Sequence, residues 1–394
     1  VAAVREGDTA ITETYTQKLY IAAPDGQAGG GMGRVKDYIL RTASDAGGRF
    51  SFAPLVTRDM RGRIFSFLLM MKAIGRILGN RLRGRVALVH VHMGDRGSAV
   101  RKGIIVLFSR MFGVPTLLHL HAVEMERHYA AASPVMRWLI RLPFRASTSI
   151  IVLGERFRAW LVNDLGIPSA KIDILYNGVD VGEALPARQF ANGRSQTILF
   201  LGNLLERKGM SDFIAALGAL PATADSWHAV IAGGGYQEPY IEQATRLGIA
   251  DRISFTGWVD QAGVRALLAQ ADMLVLPSYE EGLPLVILEA LAAGLPVICT
   301  PVGSISETLK DGDTALFCAP GDRAGLAVCM EKVLGDPALR AALSQRGRKL
   351  FDRAFSLGAF QAGLLAIYRK RCDVDYVLAS SECLPGDTGS VNLN

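Results

Sequence analysis

Along this chain, short apolar runs alternate with longer segments of helical character. Lys18–Pro24, Ala87–His92, Thr116–His121, Ser149–Leu153, Thr197–Gly202, Ala229–Gly235, Met273–Leu276 and Pro296–Thr300 are brief runs, several of them ended by Gly, Pro or Ser. Continuous apolar runs of that length predict parallel strands buried on both faces. Helices are predicted over about 34–42, from Gly209 to about Leu220, over 261–272, from Pro284 to about Ala293, and over most of 334–371. Pro284 is placed at the first helical position and Gly294 at the stop. Strand–helix alternation of this kind predicts an α/β fold of two doubly wound, Rossmann-like domains with a cleft between them at the strand ends. A chain of 394 residues is also too long for one ordinary core.

The expected division is a polar N-terminal stretch (1–17), a first domain (18–185), a second domain (186–354), a helix crossing back to the first domain (355–371) and a tail (372–394). Glu183 to Ser195 is polar, lacks a period and reads as the linker.

Charge changes the picture. Residues 1–185 hold 25 Lys+Arg against 15 Asp+Glu, a net of +10, while the remainder is −4. A basic first half suits anionic lipid, a phosphorylated acceptor or nucleic acid. Residues 61–85 are apolar and basic with no acid at all, and Arg101–Phe112 and Arg137–Arg145 repeat that character. Each can be a core helix with a solvated basic end or an amphipathic segment meeting an anionic bilayer; three of them in one half favour contact with a membrane surface. Nucleic acid is disfavoured, because no helix-turn-helix, aromatic strand motif or zinc spacing is present to read bases. The five cysteines are odd in number and lack Cys-x-x-Cys spacing, which points to a reducing compartment. With no signal-peptide core in 1–17 and no spanning apolar run, the expectation is a cytoplasmic protein, peripheral on the inner face of the cytoplasmic membrane.

Two carboxylates stand out. Glu281 lies in the loop leaving the Met273–Leu276 run, beside Gly282, and Glu289 lies about one and a half turns into the next helix, among uncharged residues. A lone buried carboxylate is costly without a donor, so Glu289 calls for ribose-type hydroxyls or an arginine. Asp25 to Gly33 is a glycine-rich turn between strand and helix, able to bring backbone N–H groups close to a phosphate or sugar. It fails the Gly-x-Gly-x-x-Gly fingerprint in both registers, which disfavours a nicotinamide enzyme. The His-x-His pairs His90/His92 and His119/His121 each point one way across a strand. No acidic or cysteine ligands accompany them, so packing is preferred to a metal site. Lys208, in a loop before a helix, is suited to a diphosphate.

Glu281 and Glu289 have the Glu-x7-Glu spacing, and Leu-Pro-Ser, Glu-Gly-Leu-Pro and Glu-Ala-Leu-Ala-Ala-Gly-Leu-Pro-Val surround them in order. In this the chain resembles the retaining glycosyltransferases of family 4, which have the GT-B fold, of the bacterial exopolysaccharide or lipid-linked glycan type. The resemblance spans about 18–371 and is denser after Thr197; Asn-Gly-Val-Asp at 177–180 matches the turn that ends the first domain, and Asn177 is given a plain turn role. It implies that Glu281 orients sugar hydroxyls, that Glu289 holds ribose, and that Lys208 and the N–H groups of Gly282 and Leu283 meet the diphosphate. Asn203 stands where the family has an arginine, and Arg207 is the neighbouring replacement cation. The resemblance further implies that Gly30 and Gly31 lie near the donor phosphates, that Phe255 and Gly257 hold the base and that His121 contacts the transferred sugar. Glu124 and His128 are expected to face the acceptor. The implied reaction moves a sugar from a GDP- or UDP-sugar to a lipid-linked or saccharide hydroxyl, with no metal or other cofactor required. Two other readings fit the same residues: a sugar-nucleotide epimerase of the same fold, and an inactive membrane-associated relative.

Overall fold

The structure, a computed structural model, describes residues 17–42, 50–182, 188, 190, 195–221 and 227–372. The stretch 1–16, most of the expected linker and the tail from 373 onward lie outside the described residues.

The first lobe alternates β1 (Gln17–Ala23), α1 (Gly26–Thr42), β2 (Phe50–Val56), α2 (Arg63–Arg81), β3 (Val86–Met93), α3 (Gly97–Met111), β4 (Thr116–Leu120), α4 (Met125–Ala130), α5 (Pro134–Ala146), β5 (Ser149–Val152), α6 (Glu155–Asn163) and β6 (Ile172–Ile174). Its six strands are all parallel, in the order β2-β1-β3-β4-β5-β6. The second lobe contains β7 (Gln196–Leu201), α7 (Met210–Gly218), β8 (Trp227–Ala232), α8 (Glu238–Arg246), β9 (Ile253–Gly257), α9 (Gln261–Gln270), β10 (Met273–Leu276), α10 (Leu285–Ala292), β11 (Val297–Cys299), α11 (Ile305–Thr308) and β12 (Leu316–Phe317). Its sheet is also parallel, ordered β12-β11-β10-β7-β8-β9. Helices α12 (Arg323–Gly335), α13 (Pro337–Ala354) and α14 (Leu357–Cys372) complete the described chain.

The apolar runs became strands for the expected reason. β4, β5, β10 and β11 are buried at every position, which a parallel sheet covered on both faces requires. In each lobe the order reverses beside the first strand. Loops leaving β1 and β3 in the first lobe, and β7 and β10 in the second, therefore open at the carboxyl ends where such sheets bind ligands, with the loop leaving β4 beside β3.

Three details differ from the sequence expectation. The glycine-rich segment is not a turn followed by a helix: α1 begins at Gly26 and is broken only at Gly30, whose φ of 51° and ψ of −129° suit a residue without Cβ. Pro284 is extended and precedes α10, its carbonyl accepting from Ile287 N–H at 3.1 Å, so the first helical residue is Leu285. In the expected linker, Arg188 is anchored on the second lobe, donating to the carbonyls of Ala293 at 2.8 Å and of Ala271 and Leu268.

Helix α14 lies on the first sheet. Tyr368 Oη meets His90 Nδ1 at 2.7 Å, and Arg371 and Lys370 pair with Asp173 at 2.7 and 3.1 Å. Phe360 packs so tightly on Gly178 that any Cβ there would clash with it and with the Ser356 carbonyl, and Gly363 leaves room for Leu175.

Candidate active site

The site is built up from the loop between β10 and α10. β10 ends at Leu276, and the chain turns so that Glu281 folds back under its own loop. Ser278 Oγ donates to Glu281 Oε1 at 2.8 Å, and Lys208 Nζ pairs with the same oxygen. Arg207 Nη1 donates to the Glu280 carbonyl at 3.0 Å and stands 3.9 Å from Glu281 Oε2. Glu281 is buried to 8 % exposure, so these cations offset its desolvation. Gly209 follows Lys208 with φ 70° and presses on the Pro277 carbonyl, which seats the lysine loop on the carboxylate loop. Next along the chain, the N–H groups of Gly282 and Leu283 donate to no acceptor among the described residues. They stand at the head of an eight-residue helix, where such groups favour an anion.

Glu289 lies in the second turn of α10 at 4 % exposure. Its partners are Arg34 of the first lobe, which reaches Oε1 through Nη1 and Oε2 through Nη2 at 3.4 Å, and Gln261 Nε2 at 3.2 Å. Of the two donors anticipated for this carboxylate, an arginine is the one present. Glu289, Gln261, Asp180 and Arg265 line a cavity of about 490 Å3, which Glu281 and Lys208 do not line.

From the first lobe, His121 leaves the end of β4, and its Nε2 meets His92 Nδ1 at 2.9 Å. His90, His92 and His119 stack behind it, ring centroids 4.5 to 5.5 Å apart. Burial, and secondarily neighbouring positive charge, pushes His121 and His90 down to about 3, and His92 and His119 well below the usual histidine range, so all four rings are neutral at pH 7. His92 Nε2 has no partner. His92 Nδ1 and His121 Nε2 share one proton between them; with that proton on His92, His121 keeps its Nδ1–H as a donor. The nitrogens of His90, His92 and His119 lie within 4.8 Å of one another.

Glu124 is bound by Arg96 at 3.1 Å, Arg127 at 3.5 Å and His128 at 3.5 Å, and Arg127 also reaches Glu280 at 2.7 Å. The pair Glu124/His128 thus stands across from the Glu280–Glu281 loop. Gly282 packs against Val123 and Leu153, with a Cβ there 3.5 and 3.1 Å from their methyl carbons, and Gly31 lies against Leu285 at 3.7 Å on the same measure. Gly30 is the break one residue earlier.

Asn203 is exposed at the end of β7, beside Gly233 and Gly234. The Gly257 carbonyl, at φ 70°, accepts from Gly233 N–H at 2.8 Å, and Phe255 is half-buried two residues before. Asn203, Phe255 and Gly257 therefore share one glycine-lined corner of the second lobe, which adjoins Lys208 through Gly202, where a Cβ would stand 3.7 Å from Lys208 Cε.

Sequence reasoning missed three lobe-to-lobe contacts. Asn177 is not a plain turn residue: its buried Nδ2 donates to the Leu283 carbonyl at 2.9 Å. Glu307 accepts from the N–H groups of Glu155 and Arg156 at 2.6 and 2.8 Å. Arg34 was unmarked among many basic residues; only a count of donors available to Glu289 could have found it.

Comparison with known proteins agrees with this architecture. Residues 183–350 match the model of glycosyl transferases group 1, and residues 34–178 match that of the glycosyl transferase 4-like domain. A glycogen synthase of Mycobacterium tuberculosis is 32 % identical over 273 residues, 67 % of this chain and 65 % of that one, so the chain spans slightly under two thirds of that relative. An alpha-D-kanosaminyltransferase of Streptomyces kanamyceticus is 26 % identical over 349 residues, 84 % of this chain and 87 % of that one. Among solved structures, sucrose-phosphate synthase from Thermosynechococcus elongatus superposes with a TM-score of 0.71 at 19 % identity, covering 90 % of this chain and 98 % of that one. Anabaena HepE in complex with UDP and glucose superposes with a TM-score of 0.69 at 18 % identity, covering 90 % and 100 %. Two consecutive family matches, two facing parallel sheets and the Glu281/Glu289 loop-helix converge: the chain belongs to the family 4-like glycosyltransferases of GT-B fold.

Proposed function

We propose that this protein transfers a sugar, with retention of anomeric configuration, from a nucleoside diphosphate sugar to a hydroxyl of a lipid-linked saccharide. The observation that carries the reading is the placement of Glu281, the Gly282 and Leu283 N–H groups and Glu289 along one loop-helix, with Lys208 of the loop after β7 paired to Glu281, at the strand ends between two sheets. Relatives named as glycosyltransferases and a HepE structure holding UDP and glucose support it.

In this reading the ribose hydroxyls donate to Glu289. The diphosphate lies at the head of α10, where two backbone N–H groups, Lys208 and Arg207 meet charge that grows as the bond to the sugar breaks. Glu281, held by Ser278 and Lys208, accepts from sugar hydroxyls, and His121 donates through Nδ1–H from the opposite lobe. The acceptor oxygen forms the new bond to the sugar C1 as the C1–O bond to phosphate breaks. The acceptor's proton passes to the departing phosphate oxygen, and the nucleoside diphosphate leaves. Glu124 and His128 face the acceptor, and Phe255 and Gly257 hold the base. The chemistry uses fixed donors and draws on no metal.

The acceptor's lipid anchor is inferred from one face of the first lobe. Helix α2 packs on α3 and α3 on α5, so the three acid-free segments become neighbours. None of the three helices contains an acidic residue. Ile64 at 77 %, Phe67 at 55 % and Trp138 at 58 % exposure stand among exposed Arg63, Lys72, Arg76, Arg110 and Arg137. Apolar side chains ringed by cations, with no carboxylate, suit the interface of an anionic bilayer. No helix of the described residues is long and apolar enough to cross a membrane.

A screen of nucleotide sugars for protection against heat, followed by transfer to membrane extracts and determination of the product anomer, tests the reading. Glu289→Ala and Lys208→Ala are each expected to reduce transfer at least about a thousandfold while circular dichroism stays unchanged. Undiminished transfer by either variant overturns its assigned role. Binding without transfer would identify an inactive relative, and conversion of the nucleotide sugar without an acceptor would identify an epimerase.

A further inference from the structure

If Glu289 is the ribose carboxylate, it is already occupied before any nucleotide arrives. Arg34 grips both its oxygens from the other lobe, and Arg34 Nη1 also donates to Gln261 Oε1 at 3.0 Å. The carboxylate is 4 % exposed and the guanidinium 30 %. A ribose cannot donate fully to Glu289 while a two-pronged arginine holds it. The diphosphate position is also short of charge. Lys208 and Arg207 bring two cations there, Glu281 cancels one, and Asn203 adds none. Arg34 begins one helical turn after Gly31, which lies against Leu285 in the first turn of α10. Its side chain needs to swing only from the second turn of α10 to the first.

We propose that Arg34 is a dual-use latch: it joins the lobes through Glu289 in the empty protein, and the incoming ribose displaces it onto the donor's diphosphate, where it supplies the missing cation. The inference rests on the proposed nucleotide-sugar reading. It deepens that reading by making donor recognition a trade of one ion pair for another. It also gives a signature that a merely structural arginine would not: the nucleoside and its diphosphate respond to loss of Arg34 in opposite directions.

The test is calorimetric binding of uridine, UDP, guanosine, GDP, adenosine and ADP to the wild-type chain and to Arg34→Gln, Arg34→Lys and Lys208→Ala. With whichever base binds, Arg34→Gln should tighten the nucleoside about threefold, because no internal competitor remains on Glu289. The same variant should weaken the diphosphate about tenfold, the loss of one charge-assisted hydrogen bond. Arg34→Lys keeps a charge without the fork and should fall between wild type and Arg34→Gln for both ligands. It also guards against instability of the glutamine variant. Lys208→Ala should weaken the diphosphate and leave the nucleoside unchanged. If Arg34→Gln and Arg34→Lys both weaken nucleoside and diphosphate alike, or leave the diphosphate unchanged, the latch is refuted while the nucleotide reading stands. If the wild-type chain binds none of the six, the nucleotide reading falls and takes the latch with it.

Discussion

Lys102 is completely buried on α3, with Ser98 Oγ at 3.4 Å as its one hydrogen-bond partner among the described residues. Burial first, and then the charges of Arg101 and Arg58, push its ammonium down to about 7. In the unfolded chain the group titrates near 10.4. Between those values the unfolded state carries a proton that the folded state lacks, so stability rises with pH from about 7 to about 10. Below 7 both states are protonated and the slope vanishes. Lys102→Met should therefore raise the melting midpoint at pH 7 by about 5 °C, and the gain should shrink as pH approaches 10. Melting followed by circular dichroism at pH 7, 8.5 and 10 checks this; a gain independent of pH would contradict it. Single residues were also where the sequence was hardest to read. Glu289 announced its need for a donor, but Arg34 lies 255 positions away and nothing local marks it. Asn177 carried an ordinary turn signature that its neighbours explained fully, so its reach to Leu283 had no visible trace.

Elements were far more legible. A strand in a doubly covered parallel sheet is buried at every position, and that requirement is written into four or five consecutive, mostly apolar letters at β4, β5 and β10, with Thr116, His119 and Ser149 the polar exceptions. For α1 the sequence is ambiguous because Gly26 to Gly33 has no period: glycine fits helix and turn alike, without a side chain to decide between them. For α2, α3 and α5 the apolar-basic composition was visible, and their adjacency was not, since order in space depends on the sheet beneath. That adjacency makes a testable surface. Ile64→Ser combined with Phe67→Ser on α2 should weaken binding to vesicles containing anionic phosphatidylglycerol at least about tenfold, given about 1.5–3 kcal/mol per large apolar side chain withdrawn from water. The melting midpoint should barely move, because both side chains are exposed. Vesicle co-sedimentation at low and high salt measures both contributions, and retention of binding by the double variant would reject this face as the contact.

At the scale of the whole molecule, the two lobes touch through Asn177–Leu283, Glu307–Glu155, Arg127–Glu280 and Arg34–Glu289. The two-lobe plan followed from length and from strand–helix alternation, whereas these contacts are long-range and left no pattern. They are mostly polar, and polar lobe interfaces of this kind permit relative motion. The lobes are also tied by α14, the last described element, which reaches the first lobe through Tyr368 on His90 and through Arg371 and Lys370 on Asp173. A fragment ending at residue 182 leaves Asp173 without Arg371 and Lys370, and His90 without Tyr368. Such a fragment should bind the dye ANS and melt without cooperativity, and a peptide spanning 355–372 should restore a cooperative transition. A sharp transition in the fragment alone would show α14 to be dispensable.

The position of α14 also bears on synthesis. Domains generally fold as units while the ribosome advances, but here His90 and Asp173 of the first lobe meet Tyr368, Lys370 and Arg371 only after the whole second lobe has been translated. The opening lobe therefore completes its packing late, and its maturation during translation is coupled to that of the lobe that follows it.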